Sequence, residues 1–229
     1  MNAPIVLAVD TTDIERARDW VKATQSSISV IKLGLEFYLA HGKSGISYVR
    51  EAAPDLQLFL DLKLHDIPNT VAGATRAIAD IQPDYLTVHA SGGPDMISAA
   101  ATELPNGKIT AVTLLTSLSI ADISALGIAG SANEIVTRWA RFAVDSGAKA
   151  IVASPHEVRN LRETLPPEIT IITPGVRPSG SPQGDQSRVA TPEEALSWGA
   201  NFVVIGRPIT SGSTLEEIAE NAARIASSL

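Results

Sequence analysis

With 229 residues, 45% of them hydrophobic, the chain is long enough to bury one sizeable core, and a single domain spanning 1–229 is the expectation. The formal charge of −7 is spread over both signs without runs, which argues against a face built for nucleic acid or for an anionic membrane. No cysteine is present, so disulfides, thiolate metal sites and a cysteine nucleophile are excluded.

From the N-terminus, Met1-Asn2-Ala3-Pro4 leads directly into the apolar run Ile5–Val9. It lacks the basic region and long apolar stretch of a signal peptide, which together with the missing cysteines leads us to expect a cytoplasmic protein. Further short apolar runs predict strands at Val30–Leu33, Leu56–Leu62, Tyr85–His89, Ile109–Leu115, Ala150–Ala153, Ile169–Ile172 and Phe202–Ile205, eight with the first. Stretches with helical spacing lie between them, among them Ile14–Ala23, Val71–Ile81, Glu134–Asp145 and Glu193–Trp198. Thr12, Thr191 and Ser213 stand where capping residues belong. Repeated strand-then-helix order implies a parallel sheet covered by helices, because parallel neighbours need a crossover to bring the chain back. The count of eight favours closure into a (β/α)8 TIM barrel over a doubly wound open sheet, which has the same local signature. No Gly-x-Gly-x-x-Gly follows the first strand, and the long turn-rich stretch Thr173–Gln186 reads as a functional loop.

A barrel places its chemistry at the C-terminal ends of its strands, so the polar residues closing each apolar run carry the most information. Asp10 ends the first, Lys32 lies in the second, Asp61 and Lys63 in the third, His89 ends the fourth, and Thr116 and Ser117 follow the fifth. Later runs lead to Ser154, Arg177 and Gly206-Arg207. Side chains two apart on a strand share a face, so Asp61 and Lys63 should meet at the barrel mouth, with Lys32 reaching Asp61 from the neighbouring strand. A lysine held among carboxylates keeps its proton firmly, which suits an acid that must protonate a strongly basic carbanion. The same spacing also allows a buried ion-pair network that only orients the strands. Gly206-Arg207 falls where barrels often build a phosphate site from the final loops and a helix N-terminus, and Arg177 and Gln186 could close over the same anion. Solvated arginines beside a glycine turn are the plainer alternative. The four histidines, His41, His65, His89 and His156, have no paired ligand spacing, and no metal site is expected from them.

The run Asp61-Leu62-Lys63-Leu64-His65-Asp66-Ile67-Pro68-Asn69-Thr70 resembles the Asp-x-Lys-x-x-Asp signature of orotidine 5'-monophosphate decarboxylases. The resemblance extends through Leu7-Ala8-Val9-Asp10, Ile31-Lys32-Leu33-Gly34, Leu115-Thr116-Ser117, Thr173-Pro174-Gly175-Val176-Arg177-Pro178, Gly184-Asp185-Gln186 and Val204-Ile205-Gly206-Arg207, nearly the whole chain. It implies conversion of orotidine 5'-monophosphate to uridine 5'-monophosphate and carbon dioxide, the last step of pyrimidine nucleotide synthesis, with no metal or organic cofactor, by a homodimer. It further implies that Lys63 protonates the vacated ring carbon, that Asp61 sits against the substrate carboxylate, and that Asp66, Ile67 and Thr70 reach in from the partner subunit. Lys32 and Asp10 would hold the ribose, Lys32 also joining the charge array. Thr116 and Ser117 would address the pyrimidine, while Arg177, Gln186, Gly206 and Arg207 would grip the phosphate. Gln186 is preferred to nearby Gln183 because it completes the Gly-Asp-Gln pattern. Two rivals remain: a metal-dependent sugar-phosphate decarboxylase or synthase of the same superfamily, and a non-catalytic phosphonucleotide-binding barrel. The first is expected to carry an acidic metal ligand on the second strand, where this chain has Lys32. The second would have no use for alternating lysines and carboxylates.

Overall fold

The computed structural model describes residues 2–177 and 190–229. Eight parallel strands close on themselves in chain order: β1 (Ala3–Ala8), β2 (Ile28–Gly34), β3 (Gln57–Leu64), β4 (Tyr85–His89), β5 (Lys108–Val112), β6 (Ala150–Val152), β7 (Thr170–Thr173) and β8 (Phe202–Ile205). Closure is carried by β1 against β8, with Ile5 opposite Val203 and Leu7 opposite Ile205, which decides for the barrel over an open sheet. Between the strands run α1 (Ile14–Thr24), α2 (Leu35–Arg50), α3 (Pro68–Ile78), α4 (Pro94–Glu103), α5 (Ile120–Ala125), α6 (Ala132–Asp145), α7 (Val158–Thr164) and α8 (Pro192–Ser197). After β8 come the single turn α9 (Arg207–Thr210) and α10 (Leu215–Ala226).

The two-residue period of the strands divides the core into two shells. Side chains facing outward, such as Leu58, Leu60, Leu86, Val88 and Ile171, pack under the helices. Those facing inward form a separate plug of Val6, Val30, Phe59, Tyr85, Ala150 and Ile172. Two positions further toward the mouth on β2, β3 and β4, the same inward faces carry Lys32, Asp61 and Thr87. An apolar floor therefore lies directly beneath a polar layer, and that stacking sets the dielectric of the site.

Several boundaries differ from expectation for local reasons. Helix α3 begins at Pro68 rather than Val71, because proline has no N–H to lose in a first turn and its fixed φ suits that position; a short 3-10 turn, Ala79–Ile81, completes the expected span. Strand β5 stops at Val112 rather than Leu115, since its neighbour β6 ends at Val152 and offers no further ladder. Thr113 instead directs its N–H and hydroxyl at the Val152 carbonyl, 3.2 and 3.0 Å away. Asp13, not Thr12, caps α1 by accepting the Arg16 N–H at 3.0 Å. Thr214, not Ser213, caps α10, while the Ser213 N–H donates to Glu217. Thr191 caps α8 as expected, in a reciprocal box with Glu194. Helix α2, which the apolar spacing did not single out, is kinked at Gly42, whose φ of 60° and ψ of −156° are accessible without strain only to glycine.

Candidate active site

A cavity of about 320 Å³ opens at the C-terminal ends of the strands. Its polar lining comes from Asp10, Lys32, Asp61, Lys63, Thr116, Arg177 and Arg207, one or two residues from each of β2 and β3 and one from each of the segments that follow β1, β5, β7 and β8. Phe59, Val112, Val152 and Val204 supply apolar wall.

The charged residues form a chain of alternating sign. Asp10 Oδ1 lies 3.3 Å from Lys32 Nζ, Lys32 Nζ lies 3.3 Å from Asp61 Oδ2, and Asp61 Oδ1 lies 2.8 Å from Lys63 Nζ. The two carboxylate oxygens of Asp61 thus serve two different lysines, as the sequence led us to expect. Asp61 and Lys32 are nearly buried, with side chains 11% and 12% exposed, whereas Lys63 is 37% exposed and faces the opening. Burial by itself would push the Asp61 carboxyl up, but Lys32 and Lys63, aided by hydrogen bonds from Lys63 and Thr87, outweigh it and hold the group below the usual carboxylate range. Burial would likewise lower Lys32, yet Asp61 and Asp10 raise it above the ordinary lysine value. Both groups are therefore charged at neutral pH, and each keeps the other so.

The route by which Lys63 reaches Asp61 is not the plain alternation of a strand. Four residue steps of β3, from Leu60 to Leu64, run alongside only two of β4, from Leu86 to Val88, so β3 bulges where the charged pair sits. Within the bulge Lys63 has φ of 49°, a left-handed backbone that a non-glycine residue adopts at a cost of about 1–3 kcal/mol. Sequence reasoning passed over Thr87, the β4 residue facing this bulge. Its Oγ1 accepts the Lys63 N–H at 2.8 Å and donates to Asp61 Oδ1 at 3.0 Å. The available signal was a threonine on the inward face of a strand whose other inward neighbour, Tyr85, belongs to the apolar plug.

Arg177 and Arg207 also line the cavity, together with Gly175 and Gly206. A Cβ added to Gly206 would meet the Ala8 Cβ at 3.3 Å and the Asp10 carboxylate at 3.8 Å, so glycine lets the end of β8 pack closely against that of β1. Arg177 is held at the foot of its loop, where its N–H donates to the Ala190 carbonyl at 3.0 Å. The helix that follows Gly206 is only four residues long, so any anion grip at this end rests on the arginines and the glycine backbone rather than on a helix dipole. Gln186 and Gln183 lie outside the described residues.

Ser117 does not line the cavity, although Thr116 does. Asp66, Ile67 and Thr70 also stay outside it: they sit exposed on the β3–α3 connection and at the start of α3, with Ile67 66% exposed. His89 is half-buried against His65, ring centroids 5.3 Å apart, and burial together with His65 and Lys63 lowers its pKa, leaving it neutral at pH 7. Among the described residues, no three His, Asp or Glu side chains converge so as to hold a metal ion.

Residues 3–222 match the profile described as Orotidine 5'-phosphate decarboxylase / HUMPS family. A relative from Thermobifida fusca (strain YX) named orotidine 5'-phosphate decarboxylase is 52% identical over 210 residues, covering 92% of this chain and 90% of the relative. A relative of the same name from Frankia casuarinae is 45% identical over 226 residues, covering 91% of this chain and 82% of its own length. The crystal structure of orotidine 5'-phosphate decarboxylase from Lactobacillus acidophilus superposes with a TM-score of 0.82 at 31% identity, over 98% of this chain and 99% of that one. With the barrel, the Asp-x-Lys-x-x-Asp motif and matches of this extent all in agreement, the chain belongs to the orotidine 5'-phosphate decarboxylase / HUMPS family.

Proposed function

We propose that this chain decarboxylates orotidine 5'-monophosphate to uridine 5'-monophosphate and carbon dioxide, in pyrimidine nucleotide synthesis, without a metal or organic cofactor. The observation that carries the reading is the unbroken chain Asp10, Lys32, Asp61, Lys63 on the wall of the cavity. Breaking the bond between the ring carbon and the carboxylate leaves its electron pair on an sp² carbon that delocalises it poorly. The Lys63 ammonium is the more open of the array's two lysines, so it is placed to stabilise that pair and then to deliver its proton to the same carbon, ending as the neutral amine. Asp61, held ionised by its lysines, lies next to Lys63 and would repel the substrate carboxylate, a repulsion that falls as carbon dioxide departs. Enzymatic accelerations extend to about 10¹⁷-fold, or about 23 kcal/mol, more than one lysine can supply. Fixed charges over an apolar floor, and phosphate binding energy directed to ordering the loops, must contribute the rest.

Lys32 and Asp10 would hold the ribose hydroxyls, Thr116 and Ser117 the pyrimidine, and Arg177, Gln186, Gly206 and Arg207 the phosphate. The site is completed in a homodimer by Asp66, Ile67 and Thr70 of the second subunit, a reading supported by their exposure beside, rather than inside, their own cavity. A cytoplasmic location fits the absence of cysteine, and no described helix is long and apolar enough to cross a membrane. The family also contains metal-dependent sugar-phosphate enzymes, but an ammonium at position 32, 3.3 Å from Asp61, would repel a cation there. An absorbance assay with orotidine 5'-monophosphate in excess chelator tests the proposal. Turnover is expected undiminished by the chelator; binding without turnover would favour a nucleotide sensor, and activity lost to the chelator a metal-dependent relative.

A further inference from the structure

We infer that Thr87 is a positioning residue for the decarboxylation: its hydroxyl locks the Lys63 backbone and the Asp61 carboxylate into one rigid unit. The inference rests on the function proposed above and concerns a residue that does not line the cavity.

The hydrogen-bond directions follow from the chemistry of the groups. A backbone N–H can only donate, so the Thr87 oxygen must accept from Lys63 at 2.8 Å, which leaves the hydroxyl proton for Asp61 Oδ1 at 3.0 Å. An ionised carboxylate can only accept. Asp61 Oδ1 also accepts from Lys63 Nζ, so both nitrogens of Lys63 lead to the same oxygen, one directly and one through Thr87. The resulting ring fixes the lysine at its root and at its tip. With Oδ1 committed, Oδ2 is turned to Lys32.

This lock is needed where it occurs. Inside the β3 bulge the ladder to β4 is interrupted between Leu60 and Leu64, and Lys63 has no ladder partner for its N–H. The threonine hydroxyl takes the place of the missing strand carbonyl and holds a left-handed lysine that would otherwise relax toward ordinary extended backbone. Thr87 is fully buried, so water cannot substitute. A valine here would keep the shape while leaving the Lys63 N–H and one lone pair of Asp61 without partners.

The test compares Thr87→Val with Thr87→Ser in steady-state turnover of orotidine 5'-monophosphate and in hydrogen exchange of the Lys63 amide followed by NMR. In Thr87→Val, kcat is expected to fall about tenfold or more while KM stays within about threefold, because the phosphate and ribose contacts are untouched. Thr87→Ser should restore kcat to within about threefold of wild type, a rescue that a packing role would not produce, since serine lacks the methyl group. The Lys63 amide should exchange faster in the valine variant and near the wild-type rate in the serine variant. Should Thr87→Val not fold, Thr87→Cys, whose thiol is a weak donor and acceptor, takes its place with a smaller loss expected. A folded valine or cysteine variant with wild-type kcat, a serine variant as impaired as valine, or a Lys63 amide indifferent to the substitution would each overturn the inference. A wild-type chain that fails to turn over the nucleotide would instead sink the functional reading beneath it.

Discussion

At the scale of single residues, position within the charge chain determines how much each group matters. Lys63 is both the more exposed lysine of the array and the proposed proton donor, so Lys63→Ala should lower kcat by about 10³-fold or more in a folded protein. Arg207→Ala should act mainly through KM and kcat/KM, because the arginine lines the cavity and its proposed role is to bind the phosphate. Near-normal turnover by Lys63→Ala would remove it from the mechanism, and unchanged kinetics in Arg207→Ala would remove the assigned grip. The buried Asp61 carries a linkage prediction as well. Its folded pKa is depressed, so the stability it contributes is fully present above the unfolded-state value of about 3.9 and is lost as pH falls through the lower folded value. Thermal melts from pH 7 down to about 3 should therefore show wild type losing stability relative to Asp61→Asn below about pH 4. A difference in Tm that stays constant over that range would contradict a carboxylate held ionised by Lys32 and Lys63.

At the scale of elements, α1, α5, α6, α8 and α10 each start on a side-chain cap, and the contribution of such a cap is testable away from the site. Ser131 accepts the Glu134 N–H while the Glu134 carboxylate accepts the Ser131 N–H, closing the N-terminus of α6. Through Ile135, Val136, Ala140 and Ala143 that helix covers the barrel wall. Ser131→Ala should cost about 1 kcal/mol and lower Tm by about 2–4 °C in a chain of this size, with kcat unchanged. A Tm equal to wild type would mean that the cap contributes nothing to the folded state. The β3 bulge is the element-scale counterpart at the site: a strand that departs from regular pairing so that Lys63 can approach Asp61.

At the scale of the whole molecule, the proposed dimer is what would bring Asp66 into the site, because in the single chain Asp66 is exposed and does not line the cavity. In a two-fold dimer each site would combine Lys63 of one subunit with Asp66 of the other. Lys63→Ala and Asp66→Ala should each be inactive alone, yet mixing them under conditions of subunit exchange should recover about a quarter of wild-type activity, since half the dimers would carry one intact site. No recovery despite demonstrated exchange would place Asp66 in its own subunit's site or in none.

Much of this was legible in the linear chain, for reasons that can be named. The eight strands follow from short apolar runs, because a parallel strand is buried on both faces and tolerates little else. Lys32, Asp61 and Lys63 stood out because charged residues inside such runs must find one another or face the mouth. What tertiary structure alone decided lies where one segment answers another. Barrel closure depends on β1 meeting β8, 198 residues apart at Ile5 and Val203. The left-handed Lys63 depends on a register mismatch between β3 and β4 that alternation within β3 cannot reveal, and the importance of Thr87 depends on the same mismatch. Local pattern determined which residues are inward and charged, because burial and period act along the chain. Pairing across strands determined how those charges are oriented, because a hydrogen bond between β3 and β4 has no counterpart in either segment read by itself.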